Sequence, residues 1–315
     1  MKLEMLRDLI QNDIGKRGLR TDPKRNLIDA YPNDFAAACR SLAGHAAPVL
    51  AVVTGFYIPT ATPPAGETDG PLGAVHLARA LTPLGIRVVL ITDDFCERAL
   101  NAGLGECGLR KQVPVVVLPT PVQAKTMSAA QYRQFVTERV PPLTHLLAIE
   151  RVGPSHGCDA IPVEHRDRCH TMRGLDITDL MSPSHLLFES APGDLITIGI
   201  GDGGNEIGMG KIPRDVIERN IARGGLIACR IPTDHLIVCG VSNWGAYALA
   251  AGVHGLRGKP LDPVLCDPAL ELQILEVMVE EGELVDGVLG KPSATVDGLT
   301  WQDYAGVLER IGQLV

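Results

Sequence analysis

Six short apolar runs rich in β-branched residues punctuate the chain: VLAVVTG (49–55), RVVLITD (87–93), VPVVVLP (113–119), HLLAIE (145–150), LITIGIGD (195–202) and HLIVCGVSN (235–243). They are continuous rather than alternating. Runs of that kind suit strands covered on both faces, as in a parallel sheet flanked by helices. Helical spacing lies between them. Residues 71–84 follow Asp69-Gly70, open on Pro71 and carry apolar side chains at 72, 75, 77, 78 and 81, and a second such stretch covers 127–140. Proline in the first turn fits a helix start. Strand and helix in alternation predict an α/β fold, doubly wound, with a mostly parallel sheet of about six strands and flanking helices. Residues 1–45 read as a helical N-terminal extension (LEMLRDLI, then NDFAAACRSLAGHA), and 262–315 as a helical C-terminal extension built on PALELQILEVMVEEG and 301–314. No low-complexity linker divides the chain, so one domain, 1–315, is expected. The repeated Val-Asp-Gly at 285–287 and 296–298 reads as two turns, which Asp-Gly favours.

Composition narrows the function classes. Apolar residues make up 45% of the 315 positions but aromatic ones only 4%, so the core is mostly aliphatic. The net charge of -8 argues against a nucleic-acid partner, which requires clustered Lys and Arg. No apolar run approaches the roughly 18 residues of a membrane span. The N-terminus carries Glu4, Asp8 and Asp13 where a targeting peptide would not, so a cytoplasmic protein without membrane partners is expected. Eight cysteines form no Cys-x-x-Cys pair and read as reduced, buried thiols. Self-association as a homo-oligomer is left open.

In an open parallel sheet, ligands bind beyond the carboxyl ends of the strands. Polar clusters collect there: Thr54-Gly55, Asp93-Asp94, Glu150-Arg151, Asp202 and Ser242-Asn243. The densest follows the fifth run, GIGDGGNEIGMGK at 199–211. Gly199, Gly201 and Gly204 satisfy Gly-x-Gly-x-x-Gly, but a dinucleotide site also needs an acid at the end of the next strand, and that run ends in Ser-Asn. A second reading makes the loop an anion nest whose Asp202, Asn205 and Glu206 offer hard oxygen ligands to Mg²⁺ or Mn²⁺. A third is a tight turn capped by Asp202. Cys158, His165, Cys169 and His170 lack the spacing of a zinc finger and read as a polar loop. His76 reads as structural, Ser182-Pro-Ser-His185 as a helix cap. Arg17, in the polar turn 12–18, is a residue that could reach the crevice and is assigned no role.

Taken in order, TGFYIP (54–59), ETDGPLGA (67–74), ERVGP (150–154), MRGLDIT (172–178), GDGGNEIGMGK (201–211) and VSNWGAY (241–247) resemble the C-terminal domain family of D-glutamate cyclase, over roughly residues 10–310. The resemblance implies a lyase that converts D-glutamate to 5-oxo-D-proline with loss of water, acting on a small amino-acid substrate.

That chemistry needs a deprotonated α-amine, an electrophilic γ-carboxylate, a stabilised oxyanion and a protonated leaving oxygen. A crevice lined by Glu67, Asp69, Asp93, Asp94, Glu150, Asp202 and Glu206 would repel a substrate with two carboxylates unless a cation intervened. A divalent metal on Asp202 and Glu206, with Glu67 or Asp69, is therefore expected, making Asp202 and Glu206 catalytic. Glu150 is expected to orient or deprotonate the amine, and Arg151 and Arg173 to hold the α-carboxylate by forked hydrogen bonds. The backbone of Gly201, Gly203, Gly204 and Asn205 would meet the oxyanion, with Thr54, Gly55 and Asn243 completing the substrate wall. Two rivals use the same residues: another metal-assisted hydrolase, lyase or racemase of a small carboxylate, and a non-catalytic binder of a nucleotide or small ligand. Every version requires the 201–206 turn to meet Glu150 and Asp69 at one edge of the sheet.

Overall fold

A computed structural model describes residues 2–315. Each of the six apolar runs supplies one strand, slightly shorter than the run: β1 (Val49–Thr54), β2 (Arg87–Thr92), β3 (Val115–Val117), β4 (His145–Ile149), β5 (Ile196–Gly201) and β6 (His235–Val238). All neighbours pair in parallel, in the order β3-β2-β1-β4-β5-β6. The pleat explains the continuous hydrophobicity. Leu50, Val52, Leu90, Ile149, Ile198 and Ile237 face one core, and Ala51, Val53, Val89, Ile91, Ala148 and Leu236 face the other. Helices Lys2–Ile10, Asp34–Gly44, Pro71–Leu81, Ser242–Leu256, Pro268–Glu280 and Trp301–Leu314 bury residues in the first core. Ala129–Thr137 and Arg214–Asn220 cover the second.

The strand order reverses between β1 and β4. In doubly wound sheets such a switch point opens a crevice beyond the carboxyl ends of the strands, here beyond Thr54 and its register partner Ile149. An antiparallel ribbon, Tyr57–Ile58 with Ala65–Gly66, leads out of β1 beside it.

Three local expectations change. The run 235–243 leaves the sheet at Val238, and Ser242 and Asn243 begin a helix. The N-terminal segment forces this turn: the Gly240 amide donates to the Ile10 carbonyl, and a side chain at Gly240 would place its first carbon 1.8 Å from the Asn12 carbonyl oxygen. The N-terminal extension is two helices separated by irregular backbone at 11–33. Asp13 holds that turn, accepting from the amides of Arg17, Gly18 and Leu19 at 2.8, 2.9 and 3.0 Å. The 71–84 stretch is α-helical to Leu81 and tightens to a 3₁₀ turn over Thr82–Leu84. Among the described residues no helix is long and apolar enough to cross a membrane. Five of the eight cysteines are buried, and burial pushes the Cys96 and Cys169 thiols up to about 12; Cys107 and Cys266 are half-buried and Cys158, on the polar loop, is exposed, against the expectation of buried thiols throughout.

Candidate functional site

Asp69, Glu150 and Asp202 come from three separate segments, yet each places a carboxylate oxygen within 4.8 Å of the other two, and all three are buried. Asp202 directly follows β5 and Glu150 directly follows β4. Glu150 sits at φ 43°, a left-handed backbone unusual for a non-glycine residue, which turns its side chain at the switch point. Its Oε2 accepts from the Ser242 hydroxyl at 2.5 Å.

Asp69 is fixed by an exchange between two helix N-termini. Its carboxylate accepts from the Ser242 and Asn243 amides at 2.9 and 2.8 Å, capping Ser242–Leu256. Asn243 reciprocates: its Oδ1 accepts from the Gly70 and Gly73 amides, both at 2.8 Å, capping Pro71–Leu81. Asn243 was expected on the substrate wall. Its amide is occupied in joining these helices instead.

The glycine-rich turn answers to an acid of its own. The Glu206 carboxylate folds back and accepts from the amides of Asp202 (2.9 Å), Gly203 (2.6 Å) and Gly204 (2.7 Å). These donors were expected to face an oxyanion, and Glu206 was expected on a metal; each is committed to the other. The dinucleotide alternative loses its seat for the same reason, since a carboxylate already lies where phosphate would. Glycine is required where the turn tightens. Gly204 has φ 94°, and a side chain at Gly203 would bring its first carbon within 2.8 Å of Asn205 Oδ1 and 2.9 Å of Met172 Sδ. Gly201 gives its carbonyl to the Cys239 amide.

Arg151 also differs from its expected role. Its guanidinium is fully buried and donates to Ser184 Oγ (2.8 Å), the Gly55 carbonyl (3.0 Å), the Ser182 carbonyl (2.8 Å) and the Asp93 carboxylate. With its donors so occupied it ties the ends of β1, β2 and β4 to the 182–184 loop rather than holding a substrate carboxylate. Gly55 is thereby a backbone anchor of that clamp. Thr54 Oγ1 is buried without a hydrogen-bond partner.

Two site residues carried no assigned role: Arg17 was placed only within reach of the crevice, and Asp297 was read as part of a turn. Arg17 enters from the irregular N-terminal turn and pairs with Asp202 at 2.7 Å and Asp297 at 2.5 Å. Asp297 belongs to the second Val-Asp-Gly, read only as a turn. Asp286, in the first, does act as one, taking the amides of Val288, Leu289 and Gly298. The signal that could have found Arg17 is charge: several acids at one edge require a cation.

A cavity of about 260 Å³ opens among these groups, lined by Arg17, Phe56, Glu67, Glu150, Met172, Arg173, Asn205 and Asp297. Arg173 lies exposed at its rim and has no ion-pair partner among the described residues. Burial, reinforced by neighbouring carboxylates, raises Glu67, Glu150 and Asp202 well above the usual carboxylate range and Asp69 to about 8. Burial alone would lower Arg17, but Asp202 and Asp297 hold it well above its ordinary value. The cluster thus favours bound protons or a bound cation. Asp202 Oδ2 is buried with no partner, and the three carboxylates of Asp69, Glu150 and Asp202 are hard oxygen donors that fit Mg²⁺ or Mn²⁺. Compared with the expected metal set, Asp69 and Asp202 belong to this triad, Glu150 joins it, and Glu67 stands in the cavity wall. A larger hollow of about 820 Å³ lies beside residues preceding β1 and β2 and contains none of these acids. Its Arg257 donates to the Leu42, Ala43 and Leu84 carbonyls.

This geometry can be set beside known proteins. A human protein, "D-glutamate cyclase, mitochondrial", is 33% identical over 264 residues, covering 80% of this chain and 39% of that protein. The chain therefore spans about two fifths of that relative's length. The family described as "D-glutamate cyclase-like, C-terminal" matches residues 6–312, a span that takes in every strand of the sheet and every acid of the cavity. The chain belongs to the D-glutamate cyclase-like C-terminal family.

Proposed function

We propose that the cavity cyclises D-glutamate to 5-oxo-D-proline with release of water, as a hydro-lyase assisted by a divalent metal. The observation that carries the reading is the meeting, within a family named for this reaction, of buried high-pKa carboxyls and an unpaired arginine around one small cavity. Its volume of about 260 Å³ lies below the roughly 300–1,000 Å³ typical of sites for drug-sized ligands, which suits a single amino acid.

Cyclisation joins the α-nitrogen to the γ-carboxyl carbon and breaks one carbon–oxygen bond. Two protons leave the ammonium, and two reach the departing oxygen as water. Arg173 receives the α-carboxylate at the rim. Glu150, which reaches both the cavity and the acid triad and would be ionised beside a cation bound there, accepts the first amine proton and later passes it to the leaving oxygen. Glu67, kept protonated by burial beside Asp297 and Asp69, donates the other proton of the water and is reprotonated by the second amine proton. Held in place, nucleophile and carbonyl react with an entropic advantage worth several kcal/mol. Asp69 and Asp202, with an oxygen of Glu150, would hold the divalent ion, whose contribution when bound is to polarise the γ-carboxylate as a Lewis acid. Arg17, already paired with Asp202 and Asp297, offsets part of the local negative charge. The eight cysteines are all free, which supports a reducing compartment, and we propose the cytoplasm.

The test is lactam formation from D-glutamate followed by proton NMR, first after exhaustive chelation and then with added MnCl₂ or MgCl₂. Turnover restored by metal is expected. Full turnover in the chelated protein would remove the metal from the account; no turnover of D-glutamate under any condition would remove the reaction.

A further inference from the structure

We infer that Asn205 forms a seat for a primary ammonium group, so that this chain selects amino acids over the corresponding carboxylic acids. The inference rests on the reading that the cavity receives an amino-acid substrate, and it names the residue that recognises the nitrogen.

The amide of Asn205 has a fixed orientation. Nδ2 donates to the His170 carbonyl at 2.9 Å, and a flipped amide would set two acceptor oxygens against each other there. Oδ1 is thereby left on the other side, buried and with no protein partner. Asn205 is 1% exposed and lines the cavity. A buried carbonyl oxygen without a donor is costly, so the site is complete only when a ligand brings an N–H or O–H to it. Asp297 Oδ2, on the same lining, is likewise buried without a hydrogen-bond partner. Glu150 adds a further acceptor to the lining, whereas the guanidinium of Arg17 is turned onto Asp202 and Asp297. A group with several N–H donors and a positive charge fits this wall; a hydroxyl brings one donor and a methylene none.

Asn205 also differs in kind from the acids around it. Its oxygen accepts a hydrogen bond but takes no proton, so it can hold the nitrogen while a carboxylate removes a proton. Gly203 makes room for it, because any side chain there would run into Oδ1 at 2.8 Å.

The experiment compares dissociation constants for D-glutamate against glutarate, and for D-aspartate against succinate, in the wild-type chain and in Asn205→Leu. The aspartate pair is free of turnover, because its lactam would be a strained four-membered ring. The wild type is expected to prefer the amino member by about tenfold or more, as for a donor that pairs with an otherwise unsatisfied buried acceptor. Asn205→Leu should bring the two members of each pair within about twofold. Should the leucine variant fail to fold, Asn205→Ala, which removes Oδ1 without adding bulk or charge, must likewise bring the members of each pair within about twofold. Equal affinities in the wild type would overturn the inference. So would an Asn205→Leu variant that keeps the preference and loses Mn²⁺ affinity instead, because the oxygen would then serve the metal. Discrimination in the aspartate pair with no binding of D-glutamate would leave the ammonium seat standing and remove the proposed substrate. Failure of every compound to bind would overturn both.

Discussion

Replacing Glu206 with alanine tests whether the glycine-rich turn is held by its own carboxylate. That carboxylate accepts from three amides, at 2.9, 2.6 and 2.7 Å, and both the residue and the turn are buried. Glu206→Ala strands three donors at once. A buried donor left unsatisfied costs about 1–3 kcal/mol, so the three together span about 3–9 kcal/mol. The lower part of that range applies, because the truncated side chain leaves space that water can enter and bond the amides. We therefore expect a loss of about 3–5 kcal/mol, large for a single substitution. In a chain of this length, 1 kcal/mol moves the melting temperature by about 2 °C, so a fall of about 6–10 °C is expected. Urea unfolding at unchanged slope gives the free energy directly. Acetate or formate should recover part of the loss by entering the vacated nest, and an alanine at the exposed Glu280 serves as control. A Glu206→Ala midpoint within the scatter of the Glu280→Ala control would refute the reasoning.

Other substitutions separate binding from scaffolding. Arg173→Ala should raise KM for D-glutamate by about 10- to 100-fold, the range for a lost hydrogen bond to a charged group, with no change in melting temperature; an unchanged KM would take the α-carboxylate away from Arg173. Arg151→Ala leaves Asp93 buried and unpaired and should cost about 3–5 kcal/mol of stability in urea titrations; a variant of normal stability with only KM altered would restore Arg151 as a substrate contact. Asp69, raised from 3.8 to about 8, binds a proton in the folded chain that the unfolded chain releases near pH 4. Its contribution to stability is present at low pH, falls as pH rises from about 4 to about 8, and is constant above. Urea midpoints across that window should decline in the metal-free protein and decline less in Asp69→Asn; a rise that Asp69→Asn leaves unaltered would contradict the assignment.

The sheet was legible because each strand must be apolar on both faces, a property written continuously into VLAVVT, RVVLIT and ITIGIG. Parallel topology then places their carboxyl ends together, which groups Asp69, Glu150 and Asp202 at one edge from the sequence alone. Partners were less legible. Glu206 and the amides it binds are two to four residues apart, so a carboxylate free for metal and one folded back on its own turn share one sequence. Arg151 reads like a substrate arginine until its burial beside Asp93 is seen. Arg17 and Asp297 lie 280 positions apart and meet only through tertiary packing. No local period encodes such a contact. The Ser242-Asn243 pair was assigned to a strand because nothing within the run 235–243 announces Asn12, whose carbonyl blocks the sheet at Gly240.

The most direct measurement is chiral chromatography of the product made from D-glutamate by the purified chain and by Asp202→Asn, each supplied with Mn²⁺. The account predicts 5-oxo-D-proline from the wild-type chain and a turnover at least about a hundredfold lower from the variant, the scale of losing one charge-stabilising group. Equal turnover by the two proteins, or no lactam from the wild type while it stays folded, would contradict it.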